Sequence, residues 1–282
     1  MRSFFFLLLT VCTISVKSDY TDYIYTDKNP TINSFGQTGL IQTPSAETKG
    51  EGAIYLTFNK HNIWKLATLT VTPYDWLEAS YFYYRPVDLY FGSLRGKFLD
   101  KGFNVKFVMN NNESFIPNIA IGLDDFAGTG LFSREYIVAT QNIKNLKLTY
   151  GVGWGQFASG KEFENPLKLI KDTFSIRPQP NSGDGQGGLP SYNTWFKGPA
   201  NYIGGLELLI PHANGLKAKF EYDPFDYSIF SVYENSNLTF APNPNRFKDS
   251  NFNLGLSYPI NDLINIELSY IKGNMINLSF TF

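Results

Sequence analysis

Cysteine is nearly missing from this chain. Its 282 residues hold one, Cys12, inside an N-terminal stretch expected to be removed, so the mature chain has no disulfide to hold it. An exported chain without disulfides needs another source of stability, and a closed barrel supplies one through its continuous hydrogen-bond ladder. A surplus of one charge sign is also missing, with 24 Lys+Arg against 25 Asp+Glu. A nucleic-acid binder shows a basic surplus, so that partner class is set aside. After the N-terminus no apolar run reaches the ~18 residues of a membrane-spanning helix. Histidine is limited to His61 and His212.

Aromatic residues are abundant, at 17%, while the mean hydropathy is only −0.19. Alternation with a period of two reconciles these values, because half of each strand is then apolar. The segment NLKLTYGVGWG, residues 145–155, shows it clearly. Leu146, Leu148, Tyr150, Val152 and Trp154 take one face; Lys147, Thr149, Gly151, Gly153 and Gly155 take the other. In a soluble sheet the large face would meet a core. In an outer-membrane barrel it would meet lipid, and the polar face would line the lumen.

Arg2, the apolar FFFLLLTV and the pair Val16 and Ser18 read as a cleaved signal peptide over 1–18. Lipidation at Cys12 is the alternative, opposed by the bulk of Val11. Residues 19–50, rich in turn formers and without clear period, read as an N-terminal periplasmic segment, and 51–282 as the barrel. Alternating runs predict strands near 53–60, 64–72, 77–85, 102–109, 117–124, 135–142, 145–155, 201–211, 215–223, 250–258, 263–271 and 274–282. The faces of 64–72 and 135–142 are not assigned. The expected fold is all-β: an antiparallel up-and-down transmembrane barrel of about twelve strands with long outer loops. With the N-terminus in the periplasm, the periplasmic links are all short, whereas 86–101, 125–134, 156–200 and 224–249 fall on the other side. The segments 156–200 and 224–249 are candidates for folding over or into the opening. Trp64, Tyr74, Trp76, Tyr83, Tyr84 and Trp154 lie near strand ends, where an aromatic girdle sits. A soluble exported β-sandwich that binds a partner is the competing architecture.

The closing stretch MINLSFTF, with Phe280 and Phe282 on its apolar face, resembles the C-terminal insertion signal of bacterial outer-membrane barrels. The blocks GLIQTPSAETKGEGAIYLTFN, TVTPYDWLEASYFYYR, DKGFNVKF, PNIAIGLDDFAGTGLFSREYIVAT and LTYGVGWGQF, from Gly39 to Gln156, resemble the YjbH-like (exopolysaccharide biosynthesis) outer-membrane proteins. That resemblance implies a Gram-negative outer-membrane location and a part in exopolysaccharide or capsule export or assembly, as conduit or scaffold. It also implies outer-membrane lipid, the barrel assembly machinery, polysaccharide and export-system proteins as partners. A general porin-like channel or passive structural barrel is the alternative function.

No residues argue for an enzyme. His61 lies in an outer loop without a nucleophile motif, His212 lies in a periplasmic turn, and both read as solvated turn residues. GVGWG lacks nucleotide-loop spacing and sits in a strand; its glycines admit close backbone approach instead. SGDGQGG carries one acidic residue, Asp184, too few for calcium. No cofactor or metal is expected. Alternation places Lys147, Glu207, Lys217, Lys219, Glu221 and Glu267 toward the lumen, pairing with each other or lining a conduit. Asp124, Asp125, Arg134 and Glu135 flank one outer loop. They are candidates either for contacting a sugar or partner, or for fixing a hairpin by ion pairs.

Overall fold

The structure, a computed structural model, describes residues 29–282 except 88, 92–95, 98, 111–115, 131, 159–162, 179–188, 191, 226, 228–237 and 241–245. The expected signal peptide, Cys12 and the SGDGQGG segment with Asp184 lie outside the described residues. The strands in chain order are β1 (Ala53–Lys60), β2 (Trp64–Tyr74), β3 (Leu77–Pro86), β4 (Leu89–Phe91), β5 (Gly96–Lys97), β6 (Asp100–Met109), β7 (Asn118–Asp124), β8 (Arg134–Ile143), β9 (Leu146–Gly155), β10 (Asn201–Leu209), β11 (Lys217–Tyr222), β12 (Leu238–Phe240), β13 (Phe252–Pro259), β14 (Asn265–Ile271) and β15 (Met275–Thr281).

Twelve of these strands close an antiparallel barrel, each beside its sequence neighbour, while β12, β4 and β5 form a separate small sheet. Closure is made by β1 and β15, where Phe58 lies opposite Phe280 and Thr57 opposite Thr281. Closure leaves the barrel without an unpaired edge. The twelve-strand expectation holds, and the sandwich alternative is overturned.

The side-chain period decides which face looks where. Phe220 and Leu254 are 39% and 55% exposed on the outer wall, whereas Lys219, Glu221 and Asn253 between them are buried inside. In β9, Tyr150 is exposed and Thr149 is buried, which answers the question posed by 145–155: the polar face looks inward. The two strands left unassigned follow the same rule. In β2, Leu66, Thr68, Thr70 and Thr72 are buried inside, and in β8, Tyr136, Val138 and Thr140 are. Apolar and aromatic side chains left exposed on every barrel strand form a continuous band, as lipid requires and water does not.

At the end of the barrel where β1 begins, links such as 75–76, 144–145 and 260–264 are short; the long links gather at the other end. The aromatic residues split. Tyr74 stacks on Trp76 at 5.4 Å and Trp76 on Phe107 at 6.2 Å along the outer wall, and Tyr83 is exposed. Trp64 and Tyr84, expected in the girdle, point inward instead. They join Phe82, Phe132, Phe225, Tyr227, Ile271 and Met275 in an apolar cluster inside the long-link end. Trp154 does face outward but is covered by Phe196 at 5.2 Å. The described part of 163–200 thus leans on the outer wall of β8–β10 rather than over the opening, with Phe163 against Tyr202 at 4.7 Å and Arg177 on Glu135 at 2.6 Å.

Candidate functional site

The described part of the N-terminal segment lies inside the barrel. Residues 30–46, expected in the periplasm, are buried along almost their whole length, with Asn33, Ser34, Thr38 and Ile41 fully so. The correction has a physical basis. A twelve-stranded barrel is too wide for its own side chains to fill. A segment rich in Gly, Ser, Thr, Asn and Gln supplies both bulk and hydrogen-bonding groups to a polar lumen.

The segment folds on itself first. Ser34 N–H donates to Ile41 O at 2.8 Å, Gly39 N–H to Thr31 O at 2.9 Å and Ser45 N–H to Thr38 O at 3.0 Å. Gly36, at φ +80°, turns the chain so close to β2 that a Cβ would stand 2.5 Å from Thr68 Cβ. No L side chain takes that conformation easily, and none has room there. The wall makes space as well: a Cβ on Gly205 or Gly255 would come to 3.0 Å from Leu40 or Ile41 respectively.

Two carboxylates on separated strands anchor the segment. Glu221 of β11 accepts the backbone N–H groups of Ile41, Gln42 and Thr43, each at 2.9 Å, and Asn253 Nδ2 at 3.0 Å. Three successive amides around one carboxylate form an anion-binding nest. Glu78 of β3 accepts Thr38 N–H at 3.2 Å, Thr38 Oγ1 at 2.9 Å and Tyr55 Oη at 2.8 Å, and pairs with Lys106 at 2.8 Å. Polar wall groups complete the attachment. Ala46 N–H donates to Thr140 Oγ1 at 2.8 Å, Asn277 Nδ2 to Ser34 Oγ at 2.9 Å and Lys219 Nζ to Leu40 O at 2.7 Å.

All six expected lumen charges take part. Lys147 lies between Glu47 of the segment at 2.9 Å and Glu207 at 3.4 Å. Lys217 is 4.0 Å from Glu207 and donates to Asn29 O at 2.6 Å. Lys219 pairs with Glu267, and Thr31 Oγ1 donates to Glu207. Glu221 holds the nest. Glu78 and Lys106 belong to the same network yet were not singled out from sequence, although alternation through LEASYFYYR and DKGFNVKF places both inside. Phe280 lies in β15 and Phe282 just beyond it on the outer wall, where Phe282 packs edge-on against Phe58 at 6.2 Å.

The four residues expected at the outer loop are buried and are not presented to a partner. Asp124 and Arg134 face each other across β7 and β8 and pair at 2.5 Å. Arg134 also lies 3.6 Å over the Phe35 ring, and Gln37 Nε2 donates to Asp124 at 2.6 Å. Asp125 turns under its own loop, accepting Phe132 N–H at 3.1 Å; burial, then the neighbouring Asp100, pushes its carboxyl well above the usual range. Glu135 faces outward beneath Arg177. The Asp124–Arg134 pair lies within the hairpin, as the hairpin-fixing reading expects, whereas Glu135 pairs with Arg177 outside it.

His61 is buried rather than solvated. Its ring lies 3.9 Å from Trp64, and burial, then Lys272 and Arg246, hold its pKa well below the ordinary value. Burial likewise brings Lys272 down to about 8, against the pull of Asp249. His212 is exposed in its turn.

Among the described residues, two small cavities lie beside the segment. A cavity of about 20 Å³ lies among Phe35, Phe82, Asn104 and Arg134, and one of about 40 Å³ among Thr31, Lys49 and Lys217. Either holds a water or two, not a sugar ring.

A curated relative, "Uncharacterized lipoprotein YjbH" of Escherichia coli (strain K12), is 30% identical over 252 residues, covering 87% of this chain. The chain spans about a third of that relative's length, 34%. Among solved structures, the NanC porin has a TM-score of 0.35 at 11% identity, over 81% of this chain and 98% of that one. The Salmonella typhi outer membrane phospholipase dimer with bound calcium has 0.31 at 10% identity, over 82% and 89%. The family described as exopolysaccharide biosynthesis protein YbjH matches residues 31–282, from the start of the lumen segment to the last residue, and the chain belongs to this YjbH family.

Proposed function

We propose that the chain is an outer-membrane barrel that serves exopolysaccharide assembly or export as a closed scaffold, without catalysis of its own. The observation that carries this reading is the filled lumen: residues 30–47 occupy the axis and are held there by Glu78, Glu221 and the lysine–glutamate network. The apolar outer band supports insertion into a bilayer. Family membership supports the link to polysaccharide. The filled lumen argues against a general diffusion channel.

Planar-bilayer recording tests the reading. The full chain is expected to conduct little, and a variant lacking 30–47 to conduct in steady steps. Large steady conductance from the full chain would replace the scaffold by an open conduit. Membrane fractionation and polysaccharide secretion in cells lacking the protein test location and role. Loss of secretion restored by the intact chain supports the scaffold; unchanged secretion removes the polysaccharide role and leaves a passive barrel.

A further inference from the structure

The outer wall carries basic residues in one place. At outward positions of the barrel strands, the described basic side chains are Lys60, Lys65, Arg85 and Lys101. All four sit at the long-link end of four adjacent strands. Lys60 of β1 lies directly opposite Lys65 of β2, and Lys65 directly opposite Arg85 of β3. Lys101 of β6 is opposite Tyr83, one step below Arg85. None of the four makes an ion pair among the described residues. Like charges directly opposite on neighbouring strands repel, and three in one row span roughly 10 Å at strand spacing. The sequence does not relieve the row with a carboxylate at any adjoining outward position.

Below the row lies a groove of about 410 Å³. Its floor is Ala67, the small member of a row whose neighbours are Phe58 and Tyr83. Leu278 and Phe280 complete its apolar side, and Lys60, Lys65 and Arg85 form its upper edge. Along β1, the outward residues Ile54, Leu56 and Phe58 lead up to Lys60, so the cations lie where the apolar band ends. That is headgroup depth for a bilayer lipid, with an acyl-chain channel beneath a row of positive charge.

We propose that this face binds a phosphorylated lipid of the leaflet at the long-link end. Its phosphate lies against Lys60, Lys65 and Arg85, and an acyl chain lies over Ala67. This rests on the reading that the barrel spans a bilayer, and it assigns that barrel a lipid on one side of its wall. Charge complementarity selects the occupant: a second copy would bring another positive row against this one.

Native mass spectrometry of the full chain released from vesicles tests it, with bis-phosphorylated lipid A as the probe and phosphatidylcholine as the uncharged competitor. Lipid A is expected to remain bound in preference. Each neutralised cation is expected to weaken retention about fivefold, and the combination Lys60→Gln, Lys65→Gln and Arg85→Gln by roughly a hundredfold. Ala67→Leu fills the groove and should reduce retention with all cations present. Lys144→Gln, at the opposite end, should leave it unchanged. Heat-modifiable gel mobility shows that each variant is folded; should the triple variant not fold, Lys65→Gln and Ala67→Leu decide alone. Equal retention by folded variants, equal retention of phosphatidylcholine, or a dimer in place of a lipid complex overturns the site. Failure of the wild-type chain to enter vesicles at all would instead overturn the bilayer reading.

Discussion

Two cross-strand rows of this barrel carry charge in opposite ways. Inside, Lys147, Glu207 and Lys219 stand opposite one another on β9, β10 and β11, and the signs alternate. Outside, Lys60, Lys65 and Arg85 stand opposite one another on β1, β2 and β3, and the signs agree. A buried charge is poorly screened, and each lysine at an inward strand position, Lys106, Lys147, Lys217 and Lys219, lies within 4.0 Å of a glutamate. Glu78 with Lys106 and Asp124 with Arg134 are likewise direct cross-strand partners. The outer row can tolerate repulsion because it borders water and, on our proposal, an anionic headgroup. The position of a charge relative to the lumen thus matters more than its spacing along the chain.

The strongest way to break this difference is to give the inner row the outer pattern. Glu207→Lys would place three lysines in register in a buried site, with Glu47 and Glu267 as the remaining carboxylate partners. Removing one partner of a buried pair costs about 3–5 kcal/mol, and reversal should cost at least that. The variant is expected to lose heat-modifiable mobility in detergent. A folded variant with unchanged unfolding would show that the interior is wet enough to screen the row.

The next effect separates the segment from the wall. Glu221→Gln keeps the volume but gives up the carboxylate that three backbone amides surround. Hydrogen bonds to a charged group contribute about 1.5–3 kcal/mol each, and the amide retains part of them, so a loss of about 2–3 kcal/mol is expected in denaturant unfolding. Transient openings in planar-bilayer recordings should accompany it. A silent, fully stable variant would mean that Glu78 and the remaining network hold the segment alone.

Much of this was legible in sequence, and the reason is the two-residue period. Each barrel strand was visible because lipid outside and polar groups inside impose opposite demands on alternate residues, as in GLKAKFEYD, whereas the short β4, β5 and β12 were not expected. The lumen segment was not legible, because a chain that fills a polar cavity looks like a surface loop: GQTGLIQTPSAE is small, polar and aperiodic in either setting. Trp64 and Tyr84 misled for a related reason. An aromatic near a strand end fits a girdle or an inner cap equally well by composition, and parity decides. Counting from the polar Thr68, Thr70 and Thr72 of β2, and from Glu78 and Ser80 of β3, would have turned both inward. Arg177 covering Glu135 depends on a long-range return of the chain, which no local pattern reveals.

Between the two rows lies the rim, where His61 offers a smaller test. Buried beside Trp64 and facing Lys272 and Arg246, it stays neutral in the folded barrel. Below about pH 6.5 the unfolded chain takes up a proton that the folded chain refuses. The stability from a neutral His61 is therefore complete above that pH. It declines as pH falls toward the lowered folded value, by about 1.4 kcal/mol per unit. The difference in unfolding between wild type and His61→Gln should show this slope between pH 7 and 5. A flat difference would mean that the ring is hydrated and titrates normally.

The smallest stability change belongs to the outer row, and its smallness is what sharpens the contrast. Lys65 is flanked on both sides by like charge and makes no ion pair among the described residues, so Lys65→Gln removes repulsion and no attraction. In uncharged detergent the variant should match the wild type within about 0.5 kcal/mol, on the stabilising side if the repulsion is felt. With phosphorylated lipid present the order should reverse, because a ligand that binds the folded state stabilises it in proportion to its affinity, and the variant binds it less well. A sign change between the two media is a result that neither an inert surface lysine nor a lysine structurally required by the barrel would give. Loss of stability in both media would place Lys65 among the groups that hold the wall together, and the outer row would then follow the same rule as the inner one.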